Sequence, residues 1–376
     1  MPPIPIREFE PRLPALVELL RRFVELESPT TQKPAVDAFG AAVAEEMKRQ
    51  GAEVERRPQH SVGDIWIGRW GAGEGGLLLL THLDTVHALG TLETFLFAEQ
   101  DGRLFGPGVL DMKASFAMGL TAIAALREAG SMPAGPITWL CTSDEETSSR
   151  ASRPLILDLA ARHDRIFCLE PALPNGSLKT HRKGVGVFRV EARGRAAHAG
   201  AEPEEGINAI LEMAQQALRI TGLADPAKKT TVNVGVIQGG TRSNVVPETC
   251  RVRVDIRVET MEEAERLEQG FQALHPITPG ARIQVDGGLN RPPLVRTPAI
   301  ARAFARAQEI GAQLGLSLTE GGTGGGSDAN FIGHLDKPLL DGLGAVGQGA
   351  HSDRENVEVR SLVERSALLA ALMSEW

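Results

Sequence analysis

The stretch Leu77-Leu-Leu-Leu-Thr81-His82-Leu83-Asp84-Thr85 decides how this chain folds. Four consecutive leucines predict a strand that is buried on both faces, as in a parallel sheet. In open α/β sheets, ligands gather beyond the carboxyl ends of such strands, and this strand runs into His82 and Asp84. On an extended backbone these two side chains point the same way, so one can bind a metal while the other holds it by a hydrogen bond. The alternative is a surface turn with two polar residues.

The composition is typical of a globular protein with two domains and a large core. The chain has 376 residues, of which 42% are hydrophobic and 23% charged. A net charge of −8 argues against a nucleic-acid partner. Three cysteines do not make a disulfide framework. We expect no membrane association and, because the first residues lack a signal-peptide pattern, a cytoplasmic location.

Acidic residues follow other apolar strands and a glycine-rich loop in the same way. They are Asp111 after Gly106-Pro-Gly108, Glu145 and Glu146 after the strand Pro136–Cys141, and Glu170 after the strand Ile166–Leu169. Intervals of about 25–35 residues match βαβ units, whose right-handed crossovers bring the strand ends to one edge of a sheet. We therefore predict that these side chains lie near His82.

Each acidic residue also has a structural alternative. Asp111 can be the N-cap of a helix predicted from about Ser115 to Arg127. Glu145 and Glu146 can occupy the first turn of a helix, where negative charge is favourable.

The pattern of the chain changes from about residue 180. Strands and helices follow in β-α-β-β-α-β order, the ferredoxin-like arrangement. We predict that 180–290 is a separate α+β domain, inserted into an α/β domain of 1–179 and 291–376 that has a mostly parallel sheet with flanking helices. The helix predicted at Gly206–Thr221 has an apolar stripe on one side, formed by Ile207, Ile210, Leu211, Ala214 and Leu218.

Two glycine-rich loops follow in the last part of the chain. Thr323-Gly-Gly-Gly-Ser327 leads into a predicted helix, and backbone N–H groups at Gly325 and Gly326 can hold an anion there. Gly342–Gly349 precedes His351. Together, His82, Asp111, Glu146, Glu170 and His351 suit two zinc ions, since three carboxylates and a hydroxide would nearly neutralise the pair.

These motifs resemble a known family, the dizinc metallopeptidases and aminoacylases. That family includes glutamate carboxypeptidase, acetylornithine deacetylase and succinyl-diaminopimelate desuccinylase, and the glutamate carboxypeptidase-like branch is the most similar. The matching stretches are Thr81–Val86, Gly106–Lys113, Thr142–Glu146, Leu169–Pro171, Ala197–Gly200, Ser243–Pro247, Gly324–Asp328 and Ala350–Asp353. They cover nearly the whole chain in the family's order.

The resemblance implies a role for each metal-binding side chain. Asp111 would bridge two Zn²⁺ ions, with Co²⁺ or Mn²⁺ as alternatives. His82 and Glu170 would hold one ion, and Glu146 and His351 the other.

The resemblance also implies the catalytic residues and a partner. Asp84 would orient His82, and Glu145 would be the general base that takes a proton from the attacking water and passes it to the leaving amine. The inserted domain would form a homodimer, in which His198 and Asn244 reach the partner's site and stabilise the oxyanion. Arg257 and Arg291 lie where relatives bind substrate carboxylates, although Arg257 can equally be a solvated residue of an alternating strand.

Three hypotheses for function follow. The first is a zinc carboxypeptidase that releases a C-terminal amino acid, glutamate being one candidate, from a peptide or N-acyl conjugate. The second is an N-acyl-amino-acid deacylase of the acetylornithine or desuccinylase type. The third is a non-catalytic binding protein, which the complete set of ligands and the presence of Glu145 argue against.

Overall fold

The structure is a computed structural model that describes residues 2–376, and it divides into two compact units. The first unit contains the chain up to His181, Arg296–Thr323 and Ser327–Trp376. The second contains Arg182–Val295 and the three glycines Gly324–Gly326. Both predicted anion-binding glycines, Gly325 and Gly326, thus belong to the second unit. Arg291 also belongs to it, and not to the first domain as predicted, because the last strand of the second unit continues through Arg291.

The α-helices are numbered in chain order. They are α1 (Leu13–Val24), α2 (Lys33–Arg49), α3 (Ala114–Glu128), α4 (Arg153–Arg162), α5 (Ala209–Thr221), α6 (Met261–Gln272), α7 (Pro298–Gln313) and α8 (Val359–Glu375).

The strands are numbered in the same way. They are β1 (Glu53–Arg57), β2 (Ile65–Trp70), β3 (Leu77–His82), β4 (Ala98–Gln100), β5 (Arg103–Phe105), β6 (Ile137–Thr142), β7 (Arg165–Cys168), β8 (Leu178–Arg182), β9 (Gly184–Arg193), β10 (Thr231–Gly239), β11 (Thr249–Val258), β12 (Arg282–Arg291), β13 (Glu320–Thr323), β14 (Leu339–Asp341), β15 (Gly347–Gln348) and β16 (Asn356–Glu358).

The large sheet of the first unit is mixed, with a parallel centre. Its order is β1-β2-β6-β3-β7-β14-β8-β13. The central pairs β6–β3, β3–β7 and β7–β14 are parallel, whereas β1–β2, β2–β6 and β14–β8 are antiparallel. The predicted α/β fold is confirmed, although the sheet is less uniformly parallel than expected. A second small sheet has the order β15-β16-β5-β4.

The register of the central strands brings their carboxyl ends to one level. Every residue of β3 is buried, as its leucine run predicted. His82 pairs with Thr142 on β6, and Leu80 pairs with Cys168 on β7. The residues that follow these three strands therefore emerge side by side at one edge of the sheet.

An aromatic cluster packs helix α3 against this sheet. The Phe116 ring stacks on Trp139 of β6 at 6.0 Å between centroids. A Cβ added at Gly119 would lie 2.4 Å from the Trp139 ring, so only glycine permits this approach. Within residues 2–376, Val109–Glu128 is a helical stretch long and apolar enough to cross a membrane, but 83% of its apolar window is buried inside the protein. This burial is typical of a core helix.

The second unit has the ferredoxin-like order that the sequence predicted. Its elements run β9-α5-β10-β11-α6-β12, and its sheet has the order β10-β11-β9-β12. Helix α5 packs on this sheet through Ala209, Met213 and Ile220. The apolar stripe noted in the sequence lies on the opposite side: Leu211 is 61% exposed and Leu218 is 77% exposed. An apolar stripe of a helix usually faces a core, so this side of α5 is unusual for a surface.

Candidate metal centre

The parallel centre of the first unit delivers three of the predicted ligands. His82 is the last residue of β3, Glu146 lies in a short turn Glu145–Thr147 after β6, and Glu170 lies two residues beyond β7. Asp111 precedes α3 on a five-residue turn with irregular backbone, and its peptide bond to Met112 is cis. No side chain caps α3, so Asp111 does not act as its N-cap.

The first group of ligand atoms surrounds His82. Its Nδ1 donates a hydrogen bond to the backbone carbonyl of Asp84 at 2.8 Å, so Nε2 is the nitrogen that the neutral ring would present to a metal. Nε2 lies 3.0 Å from Asp111 Oδ1 and 3.7 Å from Glu170 Oε1. His82 is 2% exposed, so this group lies at the floor of the site.

The second group surrounds His351, on the loop between β15 and β16. Its Nε2 lies 3.3 Å from Asp111 Oδ2 and 3.2 Å from Glu146 Oε1. His351 has φ = 64°, in the left-handed region that residues other than glycine rarely adopt. Asp111 contributes one carboxylate oxygen to each group, and the ligand atoms of each group lie within 4.8 Å of one another.

These separations fit a pair of tetrahedral zinc ions. Two ligands at about 2.1 Å from one tetrahedral zinc lie about 3.4 Å apart. The four nitrogen–oxygen distances, from 3.0 to 3.7 Å, bracket that value. In addition, Glu146 Oε1 is buried, and the ring nitrogen of His351 at 3.2 Å does not meet it with hydrogen-bond geometry. A buried carboxylate oxygen with so little hydrogen bonding is costly unless a cation binds it.

The carboxylates around the two imidazoles favour positive charge in the site, as the direction of the imidazole pKa shifts shows. Interaction with the carboxylates of Asp111 and Glu146 raises the pKa of His351 to about 11, against the effect of burial. Burial acts to lower the pKa of His82, yet Asp111 and other carboxylates raise it well above 6.5. Burial raises the pKa of Glu146 in spite of the nearby imidazoles. Cations bound between these residues would take the place of the protons.

Asp84 contacts His82 through both its side chain and its backbone. Its carboxylate Oδ1 lies 3.6 Å from His82 Nδ1, within ion-pair distance, and its backbone carbonyl accepts a hydrogen bond from that nitrogen at 2.8 Å. The carboxylate has further partners. It accepts the backbone N–H groups of Glu145 at 3.2 Å and Glu146 at 3.1 Å, and the Thr30 hydroxyl at 2.7 Å. Asp84 therefore holds the turn that carries both glutamates.

The two glutamates open a three-residue 3-10 helix, Glu145–Thr147, so they do occupy a helical first turn, and α4 begins only at Arg153. Glu145 is 9% exposed, and one of its carboxylate oxygens lies within 4.8 Å of ligand atoms of His82 and Glu146. It is not a member of either group that contains Asp111. Its position beside the ligands suits a group that exchanges a proton with a reactant held there.

Sequence reasoning missed two residues that support the centre. The Thr30 hydroxyl binds Asp84, and the Glu355 carboxylate binds the backbone of the Asp111 turn. Neither contact has a local signal in the sequence, because the partners are far apart in the chain. The bond from Thr30 spans 54 residues and the bond to Glu355 spans 244.

The remaining predicted residues belong to the second unit. His198 is exposed, and its Nδ1 accepts the backbone N–H groups of Gly200 at 3.1 Å and Ala201 at 3.0 Å. Since Nδ1 is the acceptor, the neutral ring carries its proton on Nε2. The Asn244 carbonyl accepts the N–H of Ala199, which keeps Asn244 close to His198.

The predicted substrate-binding arginines differ in their surroundings. Arg257 binds Asp255 with two nitrogens at 2.9 Å and the Gly324 carbonyl at 3.2 Å. Arg291 is 5% exposed, and a Cβ at Gly326 would lie 3.0 Å from its Cδ. The glycine loop thus lies close to the Arg291 stem, and Arg291 Nη1 donates a hydrogen bond to Asn290 Oδ1 at 3.1 Å.

Comparison with known proteins yields a consistent set of relatives. A model of peptidase family M20/M25/M40 matches residues 78–375. Carboxypeptidase G2 of Pseudomonas sp. (strain RS-16) is 31% identical over 373 residues, with 96% of this chain and 89% of the relative covered. Acetylornithine deacetylase of Proteus mirabilis (strain HI4320) is 30% identical over 267 residues, with 65% and 67% covered.

Solved structures share the fold at lower sequence identity. A tripeptidase from Staphylococcus aureus subsp. aureus mu50 aligns with a TM-score of 0.77 and 20% identity, covering 96% of this chain and 98% of its own. A family M20 metallo-carboxypeptidase from Sulfolobus solfataricus aligns with a TM-score of 0.75 and 13% identity, covering 96% and 99%. The resemblance inferred from the motifs is therefore confirmed: the chain belongs to peptidase family M20/M25/M40 and is a hydrolase.

Proposed function

We propose that the protein is a zinc carboxypeptidase that hydrolyses an amide bond and releases a C-terminal amino acid, glutamate being the first candidate, from a peptide or N-acyl conjugate. The observation that carries this proposal is the pair of ligand groups sharing Asp111, with Glu145 beside them. Similarity to carboxypeptidase G2 over 96% of the chain supports the carboxypeptidase assignment.

The proposed mechanism assigns the proton transfers to Glu145. Two bound Zn²⁺ ions would supply Lewis acidity, making a water acidic enough to attack near neutral pH and polarising the amide carbonyl. Glu145 takes the proton from the attacking water and delivers it to the leaving amine. Asp84 fixes the turn that carries Glu145 by accepting its backbone N–H at 3.2 Å.

His198 is proposed to stabilise the oxyanion from the partner subunit of a homodimer. Two backbone N–H groups occupy its Nδ1, so Nε2–H is the donor that the ring presents outward. This fixed tautomer is what an oxyanion donor requires, because an unprotonated Nε2 would repel the developing charge. Asn244, held beside it, is the second proposed contact.

The proposed dimer surface lies on α5 and β10. Strand β10 is an edge of its sheet, with Val236 44% and Ile237 55% exposed. Leu211 and Leu218 of α5 add the exposed apolar stripe. The helix and strand adjoin, since a Cβ at Gly239 would lie 3.1 Å from Ile210 Cγ1. An unpaired edge next to an apolar stripe suits pairing with a second copy of the chain.

Arg291, with Gly325 and Gly326, is the proposed site for the substrate's terminal carboxylate. A guanidinium recognises a carboxylate through two parallel hydrogen bonds. Arg257 is assigned a supporting role, since three of its donors are engaged by Asp255 and Gly324.

A second candidate function is N-acyl-amino-acid deacylation, favoured by the similarity to acetylornithine deacetylase. The bond broken is the same, so the substrate decides between the two. Metal-replete protein should be incubated with a panel of peptidyl and simple N-acyl amino acids, and the released amine quantified. Faster release from peptidyl or aryl-acyl glutamate supports the carboxypeptidase, and preference for N-acetyl amino acids supports the deacylase. No hydrolysis and no bound zinc would refute both and favour a binding protein.

A further inference from the structure

A buried carboxylate outside the ligand set holds the turn that carries Asp111. Glu355 is 0% exposed. Its Oε1 accepts the backbone N–H groups of Leu110 at 2.8 Å and Asp111 at 2.9 Å. Its Oε2 accepts the N–H of Gly108 at 3.1 Å and a hydrogen bond from His87 Nε2 at 2.7 Å. Four donors thus converge on one carboxylate, which we call the Glu355 clasp.

The clasp connects three segments of the chain that carry ligands. Its own loop carries His351, four residues earlier. The turn 108–111 carries Asp111, and His87 lies on the segment that follows His82. His87 has a side chain only 12% exposed, and in the sequence it has no motif that marks it.

The position of Asp111 matters for both halves of the metal centre. Its two carboxylate oxygens lie 3.0 Å from His82 Nε2 and 3.3 Å from His351 Nε2. A shift of its backbone would therefore alter both ligand groups at once. The backbone of the turn departs from helical geometry at Asp111, where φ and ψ are −116° and 89°. The N–H of Asp111 is instead bound by Glu355.

We propose that Glu355 is a positioning residue for the metal centre, which fixes Asp111 against the His351 loop, and that His87 completes its hydrogen bonding. This inference rests on the proposed two-zinc function. Hydrogen bonds from backbone N–H groups to a buried carboxylate are strong, and a buried donor left without its acceptor is costly. Groups behind metal ligands usually change metal affinity about 10–100-fold when they are replaced.

Glu355→Gln is the test variant because it keeps size and one acceptor oxygen but points an amide N–H₂ toward donors. Glu358→Gln is the matched control, since Glu358 lies on the same segment, is 41% exposed and pairs with Arg103 away from the clasp. Zinc dissociation constants are measured by competition with a chromophoric chelator, on metal-free protein whose folding is checked by circular dichroism. We expect Glu355→Gln to bind zinc about 10–100-fold more weakly than wild type, and Glu358→Gln to match wild type within about twofold.

His87 supplies a milder second pair of variants in case Glu355→Gln does not fold. His87→Ala removes one donor and should weaken zinc binding, whereas His87→Gln retains an N–H donor and should recover part of the affinity. If wild type binds two zinc ions, and folded Glu355→Gln or His87→Ala binds zinc with the wild-type affinity, the positioning role of the clasp is refuted while the metal centre stands. Wild type that binds no zinc would overturn the proposed metal centre and the clasp with it.

Discussion

Adjacent glutamates in the turn after β6 offer a matched test of the proposed chemistry. Glu145 and Glu146 follow one another, are largely buried, and each donates its backbone N–H to Asp84. Replacing either by glutamine preserves shape and backbone bonding. Only Glu146 belongs to a ligand group with His351, at 3.2 Å. The same substitution should therefore have different effects at neighbouring positions.

The expected losses of activity and of zinc affinity follow from the positions of Glu145 and Glu146 in the site. Glu145→Gln removes a proton acceptor, so kcat should fall about 10²–10⁴-fold. At about 1.36 kcal/mol per factor of ten, this is about 2.7–5.4 kcal/mol of transition-state stabilisation. Glu146→Gln replaces an anionic ligand with a neutral amide. The zinc affinity of this variant should fall at least about 10-fold, since replacing even a residue that only supports a metal ligand typically costs about 10–100-fold.

The assay combines turnover with metal content. Each variant is loaded with zinc and passed through gel filtration, after which bound zinc is determined by atomic emission and amine release is measured at saturating substrate. Glu145→Gln should retain two zinc ions and lose activity, and Glu146→Gln should lose zinc. Glu145→Gln with kcat within about tenfold of wild type would refute the general-base assignment. Zinc lost from Glu145→Gln and retained by Glu146→Gln would show that the two roles are exchanged.

Three further outcomes are expected. Zinc affinity should fall with decreasing pH, because the pKa values of His82 and His351 are raised in the metal-free site and zinc binds only the unprotonated rings. Chelator competition between about pH 6 and 8 should show about one proton released for each zinc ion bound. A zinc affinity that does not change with pH would contradict this. His198→Ala should lower kcat about 10²–10³-fold, and mixing it with Glu145→Gln should restore activity if His198 acts across a dimer, whereas no recovery speaks against sharing. Leu218→Glu should yield monomers in sedimentation velocity, and an unchanged dimer mass would remove α5 from the proposed interface.

Local patterns in the sequence were sufficient to predict the central strand and the clustering of the proposed ligands. A run of four leucines specifies a strand buried on both faces, and the chemistry of the residues that follow such strands is visible without a structure. Strand β11 was likewise predictable, since an alternation with a period of 2 residues records burial on one face directly. The insertion of a β-α-β-β-α-β segment was visible from the order of the elements.

Partners that come from distant parts of the chain were decided only by the tertiary structure. Sequence spacing suggested that the Asp84 carboxylate would face His82, but not that it would also bind the turn of Glu145, 61 residues away. His87 has no local feature that sets it apart, and its partner Glu355 lies 268 residues further on. The apolar stripe of α5 predicted a helix but not which side meets the core. A sequence pattern shows which positions are buried and at what spacing they recur. The partner of each residue depends on strand register and loop packing, which form only when the whole chain has folded.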